Sequence, residues 1–119
     1  MANVNPEIEE PVFGVKAFIA VGGSEAEICS QWADLTNDPL TPDGSHGFVV
    51  QGKDGVFLVW LSEDAEDDSL VHEATHLAIG TMRSRRIPIK ASNEEVVAYL
   101  SAFWYCRLKE VTTSNGTVT

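Results

Sequence analysis

Val56-Phe57-Leu58-Val59-Trp60-Leu61 is the stretch on which the fold turns. It is short, β-branched and aromatic, and it is apolar at every position rather than at every second one. A strand with one wet face alternates, so an unbroken apolar run predicts a strand covered on both faces. Upstream, Gly52-Lys53-Asp54-Gly55 has the composition of a hairpin turn, and Gly47–Gln51 has that of the partner strand. Farther back, Val12–Val21 (VFGVKAFIAV) reads as another strand, ending at Gly22-Gly23. Ser24 with Glu27 three residues on then forms a capping box. The helix it starts, Glu25–Leu35, carries an apolar stripe through Ala26, Ile28, Cys29, Trp32, Ala33 and Leu35. Asn37 to Gly47, with two prolines and a glycine, reads as a loop.

Downstream of the apolar run, Glu63 to Asp68 holds five carboxylates among six residues. Negative charge there suits the positive end of a following helix, predicted over Ser69–Met82. A turn ending at Ile87-Pro88 leads to a last helix from about Asn93 to Lys109. The order β-α-β-β-α-α predicts an α+β fold: a small mixed sheet with one packing helix and a two-helix unit. Residues 1–11, with several glutamates, read as a flexible acidic arm. Residues 12–110 form the single domain, and 111–119 a flexible tail.

The 119 residues suffice for one core, and 44% hydrophobic content is enough to fill it. Eight Lys and Arg against eighteen Asp and Glu give a net charge of −10, which argues against a nucleic-acid surface. No apolar run is long enough to span a bilayer, and the acidic start does not resemble a secretory leader. Cys29 and Cys106 sit far apart in predicted helices and read as small buried apolar groups rather than a disulfide or metal knuckle. The basic residues bunch at Arg83, Arg85, Arg86 and Lys90, which reads as a solvated segment after a helix.

The chemistry concentrates in His72-Glu73-Ala74-Thr75-His76, an H-E-x-x-H motif. On a helix, residues four apart share a face, so both imidazoles can reach one zinc ion at about 2 Å. Glu73 is rotated away from that face and is free to hold the metal-bound water and take its proton. A third ligand has to come from elsewhere. Eighteen residues separate His76 from Glu95, within reach of a turn and the start of a second helix. Glu95, or Glu94 beside it, is the candidate, although Ser92-x-x-Glu95 also reads as a capping box. Tyr99, one turn on, is a candidate oxyanion donor, a support for Glu95, or a core residue. His46 either flanks the cleft or is solvated, and Trp60 reads as core.

The spacing and the Asn93-Glu94-Glu95-x-x-Ala98-Tyr99 string resemble gluzincin metallopeptidases. The layout is more closely similar to small HExxH proteins encoded by tailed bacteriophages. In those, a V-W-L strand (here Val59-Trp60-Leu61) precedes the H-E-x-x-H helix and an E-E-x-x-A-Y-L helix (Glu94–Leu100). The resemblance covers roughly residues 12–106. It implies a minimal zincin without the large C-terminal substrate domain of longer gluzincins. It also implies an edge strand, Val56–Leu61 or Phe48–Gln51, that pairs with a peptide substrate. Two functions follow as expectations. One is zinc-dependent peptide hydrolysis. The other is a bacteriophage structural or accessory virion role, with partners in the particle and little or no catalysis. Host cytoplasm or virion would be the location.

Overall fold

The computed structural model describes residues 3–4, 7–36, 47–52 and 54–116. Its strands are β1 (Asn3–Val4), β2 (Ile8–Glu10), β3 (Val15–Val21), β4 (Gly47–Gln51) and β5 (Phe57–Leu61). Its helices are α1 (Glu25–Thr36), α2 (Asp67–Ser84) and α3 (Glu94–Gly116), the last entered through a 3-10 turn at Ala91–Asn93. The strands form one mixed sheet in the order β1-β3-β5-β4, with β2 also on β3. β3 and β5 are parallel, joined through α1, and the other pairings are antiparallel. The α+β expectation therefore holds: one mixed sheet and three helices.

β5 is buried at all five positions, as its unbroken apolarity predicts. Leu58 and Trp60 face α1 and pack with Ala20, Ile28 and Trp32. Phe57, Val59 and Leu61 face the other way, into a larger core with Val15, Ala17, Ile19, Leu77, Met82, Leu100 and Trp104. Trp60 is core, and its indole N–H donates to the Gly22 carbonyl at 2.9 Å. α1 begins with the capping box read from sequence: Ser24 Oγ accepts from Glu27 N–H, and Glu27 Oε1 accepts from Ser24 N–H, both at 3.1 Å. α2 lies so close to β5 that a Cβ on Gly80 would sit 2.7 Å from the Phe57 ring, so a larger residue there requires that ring to shift.

α2 and α3 run antiparallel. Lys109 pairs with Asp67 at 2.7 Å, and the Trp104 indole reaches Thr81 Oγ1 at 3.3 Å. α2 ends in a Schellman-type closure: Ile87 N–H bonds the Met82 carbonyl at 2.9 Å, with Arg86 left-handed at φ 56.

Four expectations change. The first ten residues are not a loose arm where they are described, because β1 and β2 both pair with β3. The strand expected from Val12 starts at Val15, since Pro11–Gly14 is the turn of the β2–β3 hairpin, closed by Gly14 N–H on the Glu10 carbonyl at 2.8 Å. The last helix continues past Lys109 to Gly116, six residues into the expected tail. Cys29 is buried as expected, but Cys106 is exposed; both are free thiols. The loop expected at Asn37–Gly47 lies outside the described residues up to His46. No helix among the described residues is long and apolar enough to cross a membrane.

Candidate metal centre

The site is built on the N-terminal half of α2, where one helix presents two contrasting faces. Leu70, Ala74, Leu77 and Ala78 are buried against the sheet and α3, and they fix the helix's rotation. That rotation leaves His72 and His76 on the exposed side. The histidines are therefore not enclosed by apolar neighbours, as the uncharged flanks alone suggest: Val71 beside them is 53% exposed. They face an open cleft.

The rings meet edge to face with their Nε2 atoms 3.2 Å apart. Two nitrogens bound about 2.0–2.1 Å from one tetrahedral ion lie roughly 3.4 Å apart. The pair thus already has the bite of a chelate, although the same separation also suits an N–H···N hydrogen bond between the rings. A ligand atom from each of His72, Glu73 and His76 lies within 4.8 Å of the others, so this group could hold a metal ion.

Glu73 differs from its neighbours in burial. It is 5% exposed, and no hydrogen bond or ion pair engages its carboxylate among the described residues. Burial raises its pKa above the ordinary carboxylate value, and the adjacent His72 and His76 pull it partly back. Its oxygens border a shallow cleft of ≈ 300 Å³ lined by Gly47, Asp68, Ser69, His72 and Glu73. Gly47, at the start of β4, is part of the reason the cleft exists. A Cβ there would approach Glu73 Oε2 to 3.4 Å and the Trp60 carbonyl to 3.1 Å. Asp68, one turn before His72, was not singled out from sequence because the acidic run already had an explanation in the helix dipole.

The structure does not bring Glu95 or Glu94 to this group. α3 packs antiparallel, so the residues opposite the first turn of α2 are Tyr105 and Lys109, both reaching Asp67. Trp104 meets Thr81, five residues beyond His76, and Glu95 precedes Trp104 by nine residues. At about 1.5 Å per residue that is roughly 13 Å farther from the histidines. Glu94 and Glu95 are exposed at the opposite end of the hairpin. The eighteen-residue spacing sets how far the chain can reach, whereas the direction of α3 sets where it goes. Among the described residues no other side chain joins His72, Glu73 and His76.

Tyr99 lies at that opposite end too. Its hydroxyl donates a short hydrogen bond to Glu10 Oε2, and this bond, with lesser help from burial and the Glu10 charge, pushes its pKa up to about 12. Tyr99 is therefore neither an oxyanion donor for the histidine cleft nor a support for Glu95. Sequence reasoning missed Glu10, a carboxylate with no exposed surface that also accepts from Val12 N–H at 3.1 Å and Phe13 N–H at 2.6 Å. The one available signal was its place directly before Pro11 in a turn that Gly14 closes at φ 70. His46 lies outside the described residues.

Comparison with known proteins places the chain in no family: no family model, no curated protein and no solved structure matches it.

Proposed function

We propose that the chain is a zinc-dependent metallopeptidase of minimal size. The observation that carries this reading is the pairing of two converging imidazoles, one of them lining the cleft, with a buried carboxylate that has no partner among the described residues. His72 and His76 would hold the ion, and zinc suits a donor set of two neutral imidazoles. When bound, zinc supplies Lewis acidity, which acidifies water and polarises a carbonyl. Glu73 accepts the proton of the attacking water and passes it to the leaving amine. β5 is paired on both sides, so of the two strands considered only β4 can take up a substrate strand. Gly47, at the start of β4, sits beside Glu73.

The separation of Glu95 from the histidines supports a second reading: a bacteriophage structural or accessory virion protein that keeps a two-histidine metal grip without catalysis. Turnover of a peptide library by the zinc-loaded chain decides between them. Cleavage by wild type and none by Glu73→Gln supports the peptidase. Stoichiometric zinc with no cleavage by either leaves the structural reading standing.

A further inference from the structure

A second cavity lies far from the two histidines, yet the same two elements lead to it. Its ≈ 530 Å³ are lined by the start of β3, the β4–β5 hairpin and the last turn of α2, with Arg83, Arg85 and Lys16 among the contributors. Three of the eight basic residues of a chain with net charge −10 thus gather at one cavity. Two are already engaged. Arg85 Nε donates to the Phe13 carbonyl at 2.7 Å, and Lys16 Nζ lies 4.0 Å from Glu7. The cavity's own carboxylate, Asp54, accepts the Val56 N–H at 3.1 Å. Arg83 is exposed and has no ion-pair partner among the described residues.

Two rulers connect this cavity to the cleft. Along α2, Arg83 follows His76 by seven residues, close to two turns at about 3.6 residues each, so it shares the stripe of His72 and His76. Along the sheet, β4 begins at Gly47 against Glu73 and ends at Gln51, whose side-chain amide bonds Ser84 Oγ at 2.9 Å. Its five residues span roughly 13 Å at about 3.3 Å per step. A peptide added to the outer side of β4, which carries no strand among the described residues, with its scissile bond at Glu73 therefore brings a residue three or four positions away to Arg83.

We propose that Arg83, backed by Arg85, forms a subsite for a carboxylate carried three or four residues from the scissile bond of an extended peptide. The proposal rests on the peptidase reading for its register, and on the charge of the cavity for its chemistry. An arginine at a helix C-terminus also complements the helix dipole. That role needs neither the stripe shared with the histidines nor the meeting of Gln51 with Ser84.

The carboxylate can be an acidic side chain or a free C-terminus, and peptide pairs separate the two. One pair carries Glu or Gln at that position with an amidated end. The other ends there as a free acid or an amide. The zinc-loaded full chain is assayed for kcat/KM, and zinc-loaded Glu73→Gln for binding of the same peptides by fluorescence anisotropy. A charge-assisted pair predicts about tenfold better use or binding of the carboxylate member, read mainly in KM and Kd. Arg83→Gln should bring both members of each pair to the same value. Preference in the first pair assigns an acidic side chain, and preference in the second a C-terminus. Cleavage without preference overturns the subsite and leaves the peptidase. Binding preference without cleavage overturns the peptidase reading and the register to a scissile bond, and keeps only a carboxylate site at Arg83. Equal binding and equal cleavage in both pairs, or a preference that survives Arg83→Gln, overturns the proposal.

Discussion

Two buried glutamates in this protein live under opposite conditions. Glu10 has no exposed surface and accepts three hydrogen bonds, from two backbone amides and the Tyr99 hydroxyl. Glu73 is 5% exposed and accepts none from the described residues. Burying a carboxylate is costly unless hydrogen bonds replace its hydration. Glu10 recovers that cost and ties the β2–β3 turn to α3. Glu73 does not recover it, and burial drives its pKa up. A buried carboxylate without a partner among the described residues, beside two converging imidazoles, suits the proton acceptor of the proposed function.

Substitutions at the two positions should therefore separate activity from stability. The largest effect is expected at Glu73. Glu73→Gln keeps the shape and removes the base, so peptide turnover should fall by about 10²–10⁴-fold. Chemical denaturation should show stability unchanged or raised, because a poorly solvated charge has gone. Comparable losses of activity and stability would place Glu73 with Glu10 instead. Glu10→Ala should do the reverse. It strands two backbone donors and the Tyr99 hydroxyl, which predicts a loss of about 2–4 kcal/mol in urea unfolding with metal binding retained.

Tyr99 gives a smaller and sharper test. Tyr99→Phe should cost about 1 kcal/mol in stability and leave kcat unchanged, since its hydroxyl serves Glu10 and not the cleft. Its titration has a defined sign. The folded state holds the phenolic proton up to a pKa of about 12, against an ordinary value of 10.0. The stabilisation is thus fully present below pH 10 and is lost as pH rises toward 12. Unfolding free energies measured across that window should fall for wild type more steeply than for Tyr99→Phe. The smallest effect is expected at Glu95. Glu95→Gln should leave zinc affinity within error of wild type, and a tenfold loss would contradict the helix register described above.

The same contrast explains what could be read from the chain before folding. β5, α1 with its capping box, the β4–β5 hairpin and the H-E-x-x-H helix were legible because each rests on local pattern: unbroken apolarity, Ser24 with Glu27, a glycine-flanked turn, and two histidines four apart. Glu10 was not. A carboxylate in a three-residue strand looks like surface, and its burial depends on Tyr99, 89 residues away. The expected role of Glu95 failed for a related reason. Nothing between His76 and Glu95 states the direction of α3. That direction is decided by Trp104 under Thr81 and Lys109 at Asp67, both beyond the candidate ligand. The shared stripe of His72, His76 and Arg83 was written in the sequence. Its meaning needed β4 beside it.

The proposed function stands on His72 and His76 together holding one dication. Equilibrium dialysis of the wild-type chain, His72→Ala and His76→Ala against zinc at neutral pH measures this. About one zinc per wild-type chain is expected, with a loss of at least tenfold in affinity in either variant, since each removes one of two imidazole donors. A wild-type chain that binds no zinc, or variants that bind as well as wild type, would contradict it.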